Sequence, residues 1–558
     1  MSLRICLALT LVAAPSVRLA GQQRPSPAPE ARAAEAVPAP PVLGLDGEPD
    51  TRPDAAFVED VRTHCSPCHA PGPPQYVPRG AWRTRIQEMA LWSAAGTGLP
   101  AGDKTDLWRL DLGPFIRYFE ARAPENLPLP ERWPAGGQGL PLAPQAWSVP
   151  GAQRAPVVSN VRLFDLDGDG KQEIVACDMR QGLVLLGRPS ARAGELTTIA
   201  TLVSPAHAER VDLDRDGRQD LLVADLGAFL PGDHKKGAVV WLRQTAPLRF
   251  EPAPLVTNIP RTADVQAADF DGDGDLDLIA AVFGFRTVGG IYLYENRTTD
   301  WTQPRFETRL LDPRPGAIHV PVVDLDRDGR PDFVALVSQH YEEVVAFLNR
   351  GGLGFHRETI FRAPTPVWGS SGIQLVDLDG DGDVDLLMTN GDSLDDFTIR
   401  PFHGIRWYEN QGRYPWKEHE LALMPGAHRA QAADLDGDGD LDIVAGAFLP
   451  NAEHPAAVKL GRQGDLAALT SLGWLEQTKT GVFEPRTLER GRFIHATLDL
   501  GDFDGDGDVD MVTGSFVGSG FIQREAGDAE EPVLELWVNG AATAAPAPAA
   551  SAPGSRER

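Results

Sequence analysis

One nine-residue pattern recurs seven times in this chain of 558 residues: DLDGDGKQE from Asp165, DLDRDGRQD from Asp212, DFDGDGDLD from Asp269, DLDRDGRPD from Asp324, DLDGDGDVD from Asp377, DLDGDGDLD from Asp434 and DFDGDGDVD from Asp502. Successive copies start 47, 57, 55, 53, 57 and 68 residues apart. A unit of that length cannot bury its own apolar face, so neighbouring copies must stack on one another. Each copy runs into a short apolar segment rich in strand formers, such as LDLIAAV, VDLLMTN or LDIVAGAF. A turn and a further strand-like run follow, clearest in AVVWL, GIYLYEN, VVAFLN, GIRWYEN and LELWVNG. Strands and turns at this period predict four-stranded propeller blades, and seven copies predict seven blades. An EF-hand array is excluded, because no segments of 3.6-residue period flank the acidic loops.

The loop chemistry is that of a hard cation site. Calcium takes six to eight oxygens, and carboxylates at positions 1, 3 and 5 of a curled loop converge on one point. Position 6 is glycine in all seven copies, as a left-handed turn residue requires. Position 7 varies among Lys, Arg and Asp, which suits a backbone carbonyl ligand, and position 9 is acidic again. The predicted ligands of the first three loops are Asp165, Asp167, Asp169 and Glu173; Asp212, Asp214, Asp216 and Asp220; and Asp269, Asp271, Asp273 and Asp277. Those of the remaining four are Asp324, Asp326, Asp328 and Asp332; Asp377, Asp379, Asp381 and Asp385; Asp434, Asp436, Asp438 and Asp442; and Asp502, Asp504, Asp506 and Asp510. Positions 1, 3, 5, 7 and 9 hold 32 acidic side chains, against a formal net charge of −27. Up to seven calcium ions would offset about half of that charge, and so acidic a chain is no partner for nucleic acid.

At these repeats the sequence resembles the FG-GAP, or VCBS, repeat family, which is also similar to the propeller of integrin α subunits. The resemblance runs from about Val157 to Gly540, and it implies that each calcium loop joins the first and second strands of a blade. The rest of the chain divides by composition. Residues 1–20 read as a signal peptide, with Arg4, an apolar run from Ile5 to Val17 and small residues near Ala20. Residues 21–53 are a Pro/Ala-rich linker, 54–124 a separate small domain, 125–156 a second linker and 541–558 a disordered tail. The expected class is therefore multidomain, a small all-α domain followed by an all-β propeller in an exported, periplasmic or secreted protein without an integral membrane segment.

Two of four cysteines fall in the small domain, in HCSPCHAP. A zinc site needs about four ligands, and the segment offers no second Cys-x-x-Cys. A thioredoxin-like dithiol needs an alternating strand and helix pattern that is missing. Cys-x-x-Cys-His is the c-type haem attachment motif, with Cys65 and Cys68 joining the vinyl groups and His69 reaching the iron. FVEDVRTHCSPCH reads as a helix entering the motif, while AWRTRIQEMALW and GPFIRYFEARAP carry helical spacing after it. These segments resemble a small class I-like cytochrome c domain, which implies a low-spin haem with His69 on one side and a methionine on the other. Met89 is the candidate, although its spacing equally suits a core residue, and His64 is the fallback. Cys177, in EIVACD, reads as a buried core thiol.

His207, His319, His428 and His495 stand five, five, six and seven residues ahead of their repeats, which predicts imidazoles near the channel mouth opposite the loops. His340, Tyr341, Asp392, His403 and His454 lie in loops facing the same way. Two functions fit. The first is single-electron transfer through one haem, with the propeller a binding scaffold for a redox partner protein, a glycan or a cell-surface ligand. The second makes the propeller a catalytic domain, a carbohydrate or alcohol oxidoreductase or a lyase, with the haem accepting electrons. The first is favoured, because the resemblance supplies no catalytic set and no organic cofactor motif is present.

Overall fold

A computed structural model describes residues 61, 72–94, 110–135, 140–152, 154–189, 194–394, 398–449, 466–517 and 531–540. The strands form seven antiparallel sheets arranged as the blades of one propeller. Blade one is Val158–Phe164, Glu173–Asp178, Leu183–Gly187 and Thr197–Thr201, ordered as in the chain. Blades two to six repeat this meander, their first strands beginning at Pro205, Asp264, Ala317, Ser370 and Ala427. In blade four the first strand is broken, Ala317–His319 and Val322–Val323 both pairing with Asp332–Val337.

Every second strand is six residues long and buried throughout, from EIVACD in blade one to DMVTGS in blade seven. Continuous burial is what a strand covered on both faces requires. Fourth strands face solvent, as in TTIAT of blade one. The propeller has no single central core. Seven apolar clusters occupy the seven contacts between neighbouring blades, for example Phe270, Phe333 and Phe347 between blades three and four. Fully burying such a side chain contributes about 1.5–3 kcal/mol, so the ring's stability resides in its blade-to-blade contacts. Cys177 is fully buried in the contact between blades one and two, as its sequence context predicts.

Blade seven corrects the reading of residues 125–156 as a linker. Its own segments supply His495–Gly501, Asp510–Ser515 and Leu534–Val538, and strand β1, Ala143–Trp147, completes the sheet from the other end of the chain. The register runs from Ala143 opposite Val538 to Trp147 opposite Leu534. Proline at 144 is tolerated because β1 is an edge strand, where one side needs no ladder bond. Upstream, Trp133 is buried between blades five and six and donates from Nε1 to the Leu423 carbonyl at 2.9 Å.

Among the described residues, the α-helices with both ends described before β1 are α1, Trp82–Ala94, and α2, Gly113–Arg122. Both follow the helical spacing of the sequence, and α2 stops where Pro124 forces Ala123 into an extended conformation. Trp82 stacks on Phe119 with centroids 4.1 Å apart, in a cluster with Val77, Ile86, Phe115 and Ile116. This cap sits on the ring. The Tyr76 ring lies 4.5 Å from that of Phe402, and Val367, from the turn before blade five, packs into the cap's core. No helix among the described residues is long and apolar enough to cross a membrane.

Candidate functional site

Each acidic loop joins the first and second strands of its blade, so all seven lie on one face of the ring. The position-6 glycines have φ between 85° and 98°, the left-handed region that favours glycine. In blade one, Asp165 accepts the Gly168 and Gly170 N–H groups at 2.7 and 3.1 Å, and Asp167 accepts that of Asp169 at 3.2 Å. Carboxylate oxygens of Asp165, Asp167 and Glu173 gather within 4.8 Å of one another, as do those of Asp212, Asp214 and Asp220 and of Asp324, Asp326 and Asp332. Loops two and four differ from the rest. Arg243 pairs with Asp214 and Arg350 with Asp326, each at 2.6 Å, and Arg218 pairs with Asp216 at 2.7 Å.

Position 9 has a second occupation that the sequence reading missed. It opens every second strand, and burial pushes the Glu173 and Asp442 carboxyls up to about 7 and those of Asp220, Asp277, Asp385 and Asp510 up to about 6. In blade four one Asp332 oxygen accepts the Leu325 N–H at 2.9 Å and the other accepts that of Asn349 at 2.6 Å. The Asn349 amide then donates to the Phe270 carbonyl of the preceding loop at 2.8 Å. Gln244 and Asn539 make the same step to the Leu166 and Leu435 carbonyls. The amide thus ties loop, third strand and neighbouring blade together. In blades three, five and six the amides of Asn296, Asn410 and Gln477 donate to the carbonyl just before position 9 of their own blade, and blade one, with Glu173, has no amide at the end of LVLLG for such a clasp.

The opposite face holds a cavity of about 550 Å³ between the cap and the channel mouth. The cap contributes Trp82, Ile86, Met89 and Phe115, and the ring contributes His207, His319 and His428 among others. Three of the four predicted imidazoles therefore meet there. Asp264, at the start of blade three, lies 3.3 Å from His207 Nε2 and 3.8 Å from His319 Nδ1, bridging blades two, three and four. Burial alone would raise the Asp264 carboxyl, but the two imidazoles and the Val320 N–H outweigh it and hold it well below the usual range. Burial pulls His319 down, only partly offset by Asp264, and pushes His428 down to about 4 despite its 3.2 Å contact with the Ala496 carbonyl. Deeper in, Glu209 accepts from Arg162 at 3.1 Å, and Arg162 lies 3.5 Å from Asp499. The ionised Asp264 thus fixes the orientation of two imidazoles that line the cavity.

His495 departs from the expectation. It turns to Glu489 at 2.9 Å and does not line the cavity. His340 and Asp392 line it, whereas Tyr341 packs under Arg314, 5.2 Å from its Cζ. His403 is fully buried, with no hydrogen-bond partner for either ring nitrogen, and burial holds it neutral. Met89 is half-buried at the cavity wall. Cys65, Cys68, His69, His64 and His454 lie outside the described residues, as do the expected signal peptide, first linker and tail. Asp264 and Glu209 were missed because nothing in their local sequence marks them, and only ring closure brings them beside the histidines.

Sheet order, loop placement and ring closure define a seven-bladed propeller whose blades each present an acidic turn between first and second strands. The repeats are FG-GAP-like: that family's model matches residues 212–280, 324–388 and 389–445. No curated protein matches the chain. Similar solved structures include an Agrocybe aegerita lectin described as recognising non-reducing terminal N-acetylglucosamine, 16% identical over 65% of this chain and 92% of that one, with a TM-score of 0.39. A catalytically inactive virginiamycin B lyase from Staphylococcus aureus, solved with quinupristin, is 11% identical over 71% of this chain and 99% of its own, with a TM-score of 0.41.

Proposed function

We propose that this chain is an exported electron-transfer protein, with one covalent c-type haem on Cys65 and Cys68 and a calcium-stiffened propeller that receives a redox partner protein or a glycan or cell-surface ligand. The observation that carries the reading is the continuity of HCSPCH with the cap. Only two residues separate His69 from Gly72 in the sequence, and Gly72 lines the cavity with Trp82 and Met89. An apolar wall with a thioether among its side chains suits a haem. Bound there, the group would supply reversible one-electron transfer. Cys65 and Cys68 would anchor the group, His69 and Met89 would ligate it, and Trp82, Ile86 and Phe115 would keep water from it.

The loops suit calcium on a separate observation. Oδ1 of Asp212, Asp377 and Asp504 is buried without a hydrogen-bond partner, which leaves oxygen lone pairs for a cation. The reading is tested by the visible spectrum and pyridine haemochrome of full-length protein made in a host competent for c-type maturation. One covalent haem per chain is expected, with a weak sulfur-to-iron band near the far red that Met89→Ala removes. A colourless protein overturns it. The Asp264-bridged histidines support a second reading, in which the propeller oxidises a carbohydrate or alcohol and the haem accepts the electrons. Steady haem reduction by such a substrate, abolished by His319→Ala, would establish that version.

A further inference from the structure

Among the described residues, the cavity contains a guanidinium with no ion-pair partner. Arg261 lies in the turn between the fourth strand of blade two, Arg249–Ile259, and the first strand of blade three, Asp264–Ala268. It is 6% exposed and lines the cavity, and its Nε is buried without a hydrogen-bond partner. The Phe283 ring centroid lies 5.6 Å from its Cζ. Burial pulls the group down to about 10, and no carboxylate offsets that pull. Other buried arginines near the channel are matched. Arg162 pairs with Glu209, and Arg429, on the same cavity wall, is pulled down to about 10 by burial and by Arg162 but has Asp499, Asp264 and Glu209 offsetting that pull and donates to the Ile373 carbonyl at 2.9 Å.

An unpaired buried charge is costly, and a folded chain retains one where a partner arrives from solution. Arg286 lines the same cavity, and the Asp233 carboxylate accepts the Arg286 and Thr287 N–H groups at 2.8 and 3.1 Å. We propose that Arg261 anchors a binding site for a small organic carboxylate, its carboxylate paired with the guanidinium and its apolar body lying along Phe283 and Phe285. The planar fork of arginine matches a carboxylate in two-point contact, and the phenylalanine walls favour an organic body over an inorganic anion. The inference goes beyond electron transfer.

Calorimetric titration of the full-length chain with sodium benzoate, sodium acetate and inorganic phosphate at constant ionic strength tests it. Benzoate is expected to bind one site per chain, acetate at least about 10-fold more weakly, and phosphate not at all. Arg261→Met should weaken benzoate by about 100-fold or more and Arg261→Lys by about 10-fold. Arg261→Met should also raise the ligand-free thermal midpoint, because it removes an uncompensated buried charge. Absence of benzoate binding, or wild-type affinity in Arg261→Met, overturns the site. Phosphate binding in preference to benzoate overturns the organic body. A lower midpoint or misfolding of Arg261→Met shows that Arg261 has a structural countercharge, and overturns the proposal as well.

Discussion

The two faces of the propeller are made from the same seven repeats and have opposite character. On the loop face one solution is used seven times, with the glycine of position 6 and the acid of position 9 in the same places in every blade. On the cavity face the blades repeat no single arrangement. His207 and His319 flank Asp264, His428 meets a carbonyl of blade seven, His495 turns away, and Arg261 stands unmatched. A feature that every blade needs for its own fold has to be repeated. A binding cavity on the ring axis needs each group once, so its chemistry is spread over blades and resists repetition.

If the loop face is structural and the cavity face functional, perturbations should separate them. The largest effect is expected from chelation. Sites filled at about 100 times their dissociation constant contribute about 2.7 kcal/mol each, so EGTA should lower the thermal midpoint by more than about 10 °C. A calorimetric midpoint unmoved by EGTA breaks the proposed calcium role and leaves the loops held by backbone bonds alone. Next comes the clasp. Asn349→Ala strands the buried Phe270 carbonyl and removes a donor to Pro331 O, and should cost about 2–3 kcal/mol in equilibrium denaturation with calcium present. Haem and anion binding should stay unchanged, and a loss of either would show that the faces are coupled.

An effect confined to acid belongs to the cavity face. His428 is held neutral in the fold at about 4, against an ordinary 6.5. Below 6.5 the unfolded chain takes up a proton that the folded chain refuses, so this stability is present above 6.5 and is lost as pH falls toward 4. The slope from this group reaches at most about 1.4 kcal/mol per pH unit. Denaturation curves across that window should flatten in His428→Gln, and an unaltered slope would assign the acid sensitivity to other groups.

Much of this molecule can be read in one dimension. The nine-residue motif and the apolar run after it fix loop, second strand and blade count, because turn glycine, carboxylate spacing and continuous burial are local constraints. The imidazole positions follow from their fixed distance to the motif, and three of four arrive where that distance puts them. The helical spacing of AWRTRIQEMALW and GPFIRYFEARAP gives α1 and α2. What escapes is long-range. APQAW shows no apolar alternation, carries a proline and follows a Pro/Gly-rich stretch, so nothing local marks it as a strand; its pattern is supplied by Leu534–Val538. Arg261 likewise reads as an ordinary turn arginine until the ring and the cap enclose it.

Closure by β1 also has a consequence in time. Trp147 leaves the ribosome about 390 residues before its partner Leu534, a wait of roughly 20–80 s at ordinary synthesis rates. Through that interval β1 has no partner strand, the state most exposed to wrong pairing. The finished molecule keeps a trace of that history: the sheet of its last blade is complete only where one of the first strands made meets the last.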